Sequence, residues 1–118
     1  MRNIFALFIA FLTVFYPSWG QESANLNEVR AGHKLAIDVC ANCHVAAPDQ
    51  PDKPILRQPA PSFESIAQRE SVNEDWLQNY LKTTHRGLDN PGGMPNPKLP
   101  DFQIKQVAAY LLSLRKNH

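Results

Sequence analysis

The stretch Cys40-Ala41-Asn42-Cys43-His44 decides what fold this chain can adopt, because it contains both of the chain's 2 cysteines. Two cysteines three positions apart, with a histidine directly after the second, form the spacing C-x-x-C-H, which is typical of covalent haem attachment. Each thiol can add across one haem vinyl group to form a thioether, and the imidazole of His44 can then bind the iron. The sequence therefore predicts one haem c, attached through Cys40 and Cys43, with His44 as a metal ligand.

Two other uses of the cysteines are possible. A thioredoxin-like site would need a βαβ pattern around the two cysteines, but no strand-like alternation of apolar and polar residues is visible. A zinc site would need further ligands at close spacing, and the remaining histidines lie far away in the sequence. Both alternatives are weaker than haem attachment.

The first twenty residues have the pattern of a secretory signal peptide. Arg2 is followed by an apolar run from Ile4 to Tyr16, and Ser18 and Gly20 are small residues before a predicted cleavage site. The run is shorter than the roughly 20 residues of a membrane span, so we expect cleavage before Gln21 rather than an uncleaved anchor. Haem is attached to such motifs outside the cytoplasm, so the sequence predicts a signal peptide over residues 1–20 and a periplasmic domain over residues 21–118.

The length and charge of the chain restrict the class of protein. A chain of 118 residues is enough for one small domain, and its net charge of +1 gives no field that would attract nucleic acid. A domain of this size buries a limited part of its surface and often needs a covalent staple. A covalently held haem would serve as that staple.

The chain has helical periodicity in four places. We expect a first helix from about Glu28 to Cys43, with Asn25 or Asn27 as its N-cap, and a short helix from Phe63 to about Gln68, capped by Ser62. Gly32 lies inside the first of these helices, where a glycine is destabilising by about 1 kcal/mol relative to alanine. We therefore interpret Gly32 as a point of close approach by another helix.

Two more helices are predicted towards the C-terminus. Ser71 to Glu74 has the form of a capping box, with Asn73 as a rival cap, and the helix that follows should end near His85 to Gly87. Pro100-Asp101 should start the last helix, which would have Arg115 and Lys116 in its final turn. The apolar positions of this helix recur at spacings of three and four residues.

Met94 is the candidate for the second axial ligand. It is the only methionine after residue 20 and lies in a loop rich in glycine and proline, where it has no helix face to fill. Methionine opposite histidine raises the reduction potential of a haem and favours electron transfer. His85 is the rival ligand, but we interpret it as a surface histidine. The hydroxyl of Tyr80, on the preceding helix, could donate to the Met94 sulfur, and the ring of His44 needs an acceptor, which a carbonyl in the proline-rich stretch could provide.

Taken together, these residues resemble class I cytochrome c, a family of small monohaem electron carriers. The similarity covers nearly all of the chain after residue 20 and rests on four segments, which are Cys40 to His44, Ala60 to Phe63, Tyr80-Leu81, and Met94-Pro95 followed by Val107 to Leu111. The resemblance implies an all-α fold of the class I cytochrome c type, with three main helices around one covalent haem and with crossed N- and C-terminal helices. It also implies that Gly32 meets Tyr110, that the carbonyl of Pro61 accepts from His44, and that Tyr80 lies near the Met94 sulfur.

The function implied is electron transfer by a haem that cycles between Fe(III) and Fe(II), with His44 and Met94 as axial ligands and no enzymatic activity. The expected partners are an electron donor and an electron acceptor protein, without nucleic acid and without a membrane span once the signal peptide is removed. The chain could instead be the cytochrome subunit of a periplasmic dehydrogenase or oxidase. A haem enzyme or gas-binding protein with an open iron site is a further alternative, which would require that Met94 does not bind the iron.

Overall fold

The computed structural model describes residues 19–56, 58, 60–83, 85 and 92–116, and the side chains from residue 25 onward. The predicted signal peptide therefore lies almost wholly outside the described residues. The described part is all-α, as expected, and contains no β-strand. Its helices are α1 (Trp19–Leu35), α2 (Phe63–Ala67), α3 (Glu74–Leu81) and α4 (Asp101–Ser113), and a π-helical turn (Ala36–Cys40) continues α1.

Helix α1 starts earlier than the sequence pattern predicts. It begins at Trp19 rather than near Glu28, so neither Asn25 nor Asn27 is its N-cap. The segment from Gln21 to Ala31 contains no proline or glycine, and adding a residue to an existing helix is much easier than nucleating one. The polar lead-in therefore continues the helix towards the N-terminus. At the other end, α1 passes at residue 36 into the π-helical turn, and residues 41–43, which were predicted to be helical, form turns.

Helices α1 and α4 cross at Gly32. A Cβ atom on Gly32 would overlap the carbonyl oxygen of Gln106 and would lie 2.8 Å from the Cβ of Tyr110. The backbones can approach this closely only because glycine has no side chain. This contact confirms the predicted crossing and the predicted meeting of Gly32 and Tyr110.

The core lies between these two helices and the shorter ones. Ala36, Ala108 and Ile104 are almost fully buried at the crossing, and Phe63, Ala67, Leu77 and Leu81 cover it from α2 and α3. Cys40 belongs to the same apolar cluster, and Met94 packs against its edge. The core therefore adjoins both the C-x-x-C-H motif and the loop that carries Met94.

The two shorter helices each have a side-chain cap, and the cap of α3 decides between the two caps predicted for that helix. Ser62 caps α2 as expected, since its hydroxyl accepts from the amide of Ser65 at 3.1 Å. The cap of α3 is Asn73, whose side chain accepts from the amide of Trp76 at 2.9 Å, so the capping box that starts at Ser71 is wrong and the rival cap is correct.

Helix α3 ends at Leu81, earlier than the predicted end near residues 85–87. The carbonyl of Tyr80 accepts from the hydroxyl of Thr83 at 3.1 Å and from the ring of His85 at 3.2 Å. These side chains occupy the carbonyl that a continuing helix would pair with the amide four residues later. The chain leaves the helix as a result.

Helix α4 begins at Asp101 after Pro100, as predicted, but it ends at Ser113. Arg115 and Lys116 therefore follow the helix instead of lying in its last turn. The guanidinium of Arg115 turns back and donates to the carbonyls of Ala67 at 2.9 Å and Val72 at 2.6 Å. Arg115 thus joins the C-terminal end of the chain to the connection between α2 and α3.

A search of the described residues for a membrane-crossing helix found none of sufficient length and apolarity.

Candidate haem-binding site

Both cysteines of the motif are free thiols. Cys40 ends the π-helical turn and is buried, and the amides of Cys43 and His44 both donate to its carbonyl, at 3.1 and 2.9 Å. Burial, and secondarily the neighbouring Cys43, raises the pKa of the Cys40 thiol to about 11. The structure thus places both cysteine side chains on one tight turn, which is the arrangement that thioether formation with a haem requires.

The structure gives no support to a zinc site. No group of three or more histidine, cysteine, aspartate or glutamate side chains that could hold a metal ion occurs among the described residues. Structural zinc sites nearly always use four such ligands. No β-strand flanks the cysteines in the described part either, which disfavours a thioredoxin-like site.

The ring of His44 is held in one orientation. It is buried at 8% exposure, and its Nδ1 lies 2.7 Å from the carbonyl oxygen of Pro61. A carbonyl can only accept, so Nδ1 carries the hydrogen and the lone pair of the neutral ring is on Nε2. Phe63 meets the ring edge-on, with ring centroids 5.5 Å apart. His44 therefore presents Nε2 as a metal-binding atom, and Pro61 provides the acceptor that the resemblance implied.

Backbone pairing fixes the distance between His44 and Pro61. The amide of Ala60 donates to the carbonyl of Cys43, and the amide of Phe63 donates to the carbonyl of Val45, each at 3.0 Å. His44 and Ala60 form a parallel bridge between these two bonds. Residues 43–45 and 60–63 thus run side by side, although they are separated by a proline-rich loop.

The loop after His44 is closed by Gln50, which the sequence did not single out. Its side-chain oxygen accepts from the amides of Ala46 and Ala47, at 2.7 and 3.2 Å. Its amide nitrogen donates to the carbonyls of Asp52 at 2.7 Å and His44 at 3.4 Å. A glutamine in a polar loop carries no motif or periodicity, so no sequence signal could have identified it.

Helices α1 and α4 hold the same loop from the other side. The hydroxyl of Tyr110 donates to the carbonyl of Ala46 at 3.1 Å, and the ring of His33 donates to the carboxylate of Asp49 at 2.7 Å. The hydrogen bond from His33 is the main cause that lowers the pKa of Asp49. Burial, and secondarily the charge of Asp49, raises the pKa of Tyr110. The helix crossing and the loop after His44 are therefore one connected structure.

Met94 lies in a loop that is tied to the end of α3. Its carbonyl accepts from the amide of His85 at 2.8 Å, and the side chain of Asn96 donates to the carbonyl of Lys82 at 2.7 Å. Asn96 also accepts from the amide of Lys98, which has a left-handed backbone with φ 53°. Met94 itself is half-buried against the apolar core. These contacts place the methionine at the core edge from a constrained loop.

Tyr80 is part of an aromatic stack. Its ring lies parallel to that of Trp76, with centroids 4.7 Å apart, and to that of His85, with centroids 3.7 Å apart. No hydrogen bond joins the Tyr80 hydroxyl to the Met94 sulfur in the described structure. Trp76, at 37% exposure, lies at the surface of α3, whereas Leu77 beside it is buried. Tyr80 is thus linked to the methionine loop through His85, whose ring stacks on the Tyr80 ring and donates to the Tyr80 carbonyl.

These residues fit a covalently held haem. The turn supplies two free thiols, His44 supplies a ring nitrogen with its lone pair fixed, and Met94 supplies a thioether on a separate loop. Imidazole and thioether are the axial ligands of haem in electron carriers. A surface cavity of about 380 Å³ also borders the motif at Ala41 and Asn42, but none of the predicted ligands lines it.

The comparison with protein families agrees with this assignment. The family model described as Cytochrome c matches residues 29–115, which include the motif, the loop after His44, Met94 and all of α4. Neither the search of curated proteins nor the search of solved structures returned a match. Because the family model covers well over half of the chain, and the helical fold agrees with it, the chain belongs to the cytochrome c family.

Proposed function

We propose that this cytochrome c family member is an exported monohaem electron carrier, with haem c attached through Cys40 and Cys43 and bound axially by His44 and Met94. The haem, when bound, supplies a one-electron Fe(III)/Fe(II) couple. The chain transforms no substrate in this proposal and passes electrons from a donor protein to an acceptor protein. Family membership supports haem-based electron transfer in general.

The observation that carries the proposal is the fixed tautomer of His44. Its Nδ1 donates to Pro61 at 2.7 Å, and a ring held in this way presents Nε2 with its full basicity to a metal. The ring directly follows two free thiols on one turn. A buried histidine with a purely structural role would not need the neighbouring thiol pair.

Met94 supports closure of the opposite side of the iron. The loop that carries it is fixed to α3 by the amide of His85 and the side chain of Asn96. A weak ligand such as a thioether binds iron only when the protein holds it at the right distance, and the constrained loop can do this. A six-coordinate iron leaves no open position for a substrate or a gas.

Export is proposed from the N-terminal segment. Residues 1–20 have the order of a signal peptide, with Arg2, an apolar run and small residues before Gln21. Periplasmic location follows from where such motifs acquire haem. Partner proteins are proposed on the same basis, either as free redox proteins or as the other subunits of a dehydrogenase or oxidase complex.

The test begins with the full chain produced in a host that exports it and attaches haem. A denaturing gel stained for haem should show covalent haem, and the oxidised protein should show the weak long-wavelength absorption band of methionine-ligated ferric haem. Met94→Ala should keep the covalent haem, lose this band and lower the reduction potential, since histidine–methionine ligation raises it. Leu99→Ala, in the same loop and also packed against the core edge, is the matched control and should keep the band.

Four outcomes would change the assignment. A gel without covalent haem would reject haem attachment through Cys40 and Cys43. A high-spin spectrum of the unmodified protein would indicate an open iron site and favour an enzyme or a gas-binding protein. An unchanged spectrum of Met94→Ala would show that another residue, with His85 as the first candidate, holds the sixth position. Co-purification with a dehydrogenase or oxidase would identify the chain as a subunit of a complex.

A further inference from the structure

Four backbone groups near His44 have the same side-chain partner. Gln50 accepts from the amides of Ala46 and Ala47 and donates to the carbonyls of His44 and Asp52, over distances from 2.7 to 3.4 Å. The backbone amide of Gln50 also donates to the carbonyl of Ala47, at 3.3 Å. One side chain thus closes the turn that follows the histidine.

The amides that Gln50 satisfies belong to buried residues. Ala46 and Ala47 are exposed by 0% and 3%. A buried amide without a partner is costly, because it has lost its hydrogen bond to water. Residues 46 and 47 can therefore pack against the core only while the oxygen of Gln50 accepts from their amides.

Displacement of residues 46 and 47 would be transmitted to the ring of His44. Val45, the preceding residue, accepts from the amide of Phe63 at 3.0 Å, and Cys43 accepts from the amide of Ala60 at the same distance. The carbonyl of Pro61, which accepts from the His44 ring at 2.7 Å, lies between those two donors in the chain. If the segment after His44 shifts, the pairing at Val45 loosens first and the distance from Nδ1 to Pro61 changes with it.

We infer that Gln50 is a positioning residue for the proximal histidine and acts through the hydrogen bond between His44 and Pro61. The inference rests on the proposed role of His44 as an iron ligand. A hydrogen bond from Nδ1 to a carbonyl makes the imidazole more basic towards iron and so stabilises Fe(III). Loss of Gln50 should weaken that bond and shift the reduction potential to a more positive value.

Gln50→Leu in the haem-loaded full chain is the test, because leucine has a similar size but neither donor nor acceptor. Two properties should change together. The midpoint potential should move upward, and the Nδ1 proton of His44, observed by NMR in the reduced protein, should exchange with water about tenfold faster, as expected when one hydrogen bond is weakened. A purely structural role would lower stability without moving either property.

The matched control is Gln68→Leu. Gln68 also joins backbone groups through its side chain, since it donates to the carbonyl of Leu114 at 3.2 Å and accepts from the amide of Lys116 at 3.4 Å, but these groups lie outside the loop after His44. The midpoint potential of the Gln68→Leu protein, and the exchange rate of its His44 Nδ1 proton, should equal those of the unmodified protein. If Gln50→Leu fails to accumulate, Gln50→Asn replaces it, because asparagine is polar but one methylene shorter, which draws the accepting oxygen away from both buried amides; it should accelerate the same exchange.

The outcomes separate this inference from the proposed function. Covalent low-spin haem with an unchanged potential and exchange rate in the Gln50 variants would overturn the inference and leave the proposed function standing. An equal change in Gln68→Leu would also overturn it. An unmodified protein in which His44 does not bind the iron would overturn the proposed function, and the inference with it.

Discussion

Adding one methyl group to Gly32 should force the two terminal helices apart. A Cβ atom at this position would lie 2.5 Å from the carbonyl carbon of Gln106 and 2.8 Å from the Cβ of Tyr110. Non-bonded carbon atoms pack at about 3.5–4.0 Å, so α1 and α4 must separate by roughly 1 Å. No rotamer change can relieve the overlap, because both obstacles are backbone or Cβ atoms.

The cost of Gly32→Ala follows from two opposing terms. Overpacking of a well-packed core typically costs about 1–3 kcal/mol, and a rigid backbone obstacle places this site at the upper end. A radial gap of 0.5–1 Å between packed atoms forfeits about a quarter to a half of their dispersion attraction, and Ala108 and Val107 lie at this crossing, almost fully buried. The higher helix propensity of alanine returns about 1 kcal/mol. We expect a net loss of about 2 kcal/mol in the free energy of unfolding.

Urea unfolding of the haem-loaded protein, followed by circular dichroism, measures this loss. Gly92→Ala is the matched control, because a Cβ atom there would have no neighbour within 4 Å and an exposed substitution of this kind stays within about 0.5 kcal/mol. A Gly32→Ala protein as stable as the Gly92→Ala protein would refute the close helix crossing.

Three further contacts can be tested by the same unfolding measurement. Asn73→Ala should lower the free energy of unfolding by about 1 kcal/mol through loss of the α3 cap, whereas Ser71→Ala should leave it unchanged. A larger loss in Ser71→Ala than in Asn73→Ala would show that the capping box, and not Asn73, caps the helix. The hydrogen bond from His33 lowers the pKa of Asp49. This bond therefore stabilises the fold at pH values above the ordinary carboxyl pKa of about 3.9, and the stabilisation is lost as the pH falls through the lowered pKa. On acidification below about pH 4, the free energy of unfolding should therefore fall less for Asp49→Asn than for the unmodified protein. Parallel plots of this free energy against pH would contradict the prediction. Arg115→Lys should cost about 1–2 kcal/mol, since an ammonium cannot reproduce the guanidinium fork that bonds two carbonyls; an unchanged midpoint would show that those bonds contribute nothing.

Sequence reasoning succeeded where the cause is local or where only one residue type is possible. The oxygen of Ser62 caps the turn directly after it, and Gly32 is the only glycine in the first predicted helix. Both features depend on covalent geometry and on space, which a residue name specifies. The boundaries of α1 and α3 depend instead on competition between helical and non-helical hydrogen-bond partners for the backbone groups at the helix ends. The end of α3 is set by which donors reach the carbonyl of Tyr80, and this depends on Thr83 and His85 folding back.

Contacts between loops and distant segments could not be predicted from the sequence. The sequence places Arg115 where a cation would be expected in the last turn of a helix. In the structure it donates instead to carbonyls of residues more than forty positions earlier in the chain. Gln50 has no periodic or motif context at all. A side chain that bonds backbone carbonyls and amides recognises no residue type, so the partner segment leaves no trace in the sequence.

The two proposed ligands are held by separate sets of contacts. His44 is fixed by its own turn, by the pairing of residues 43–45 with 60–63, and by the following loop, which Gln50 closes and Tyr110 holds. Met94 is fixed through His85, whose ring stacks on Tyr80 of α3. In the described part of the chain, the apolar core lies against both sets. In the proposed site the imidazole is the strong ligand and the thioether the weak one, and the loop of the weak ligand is tied to the end of α3. Occupancy of the sixth position would therefore depend on α3 more than binding by His44 does.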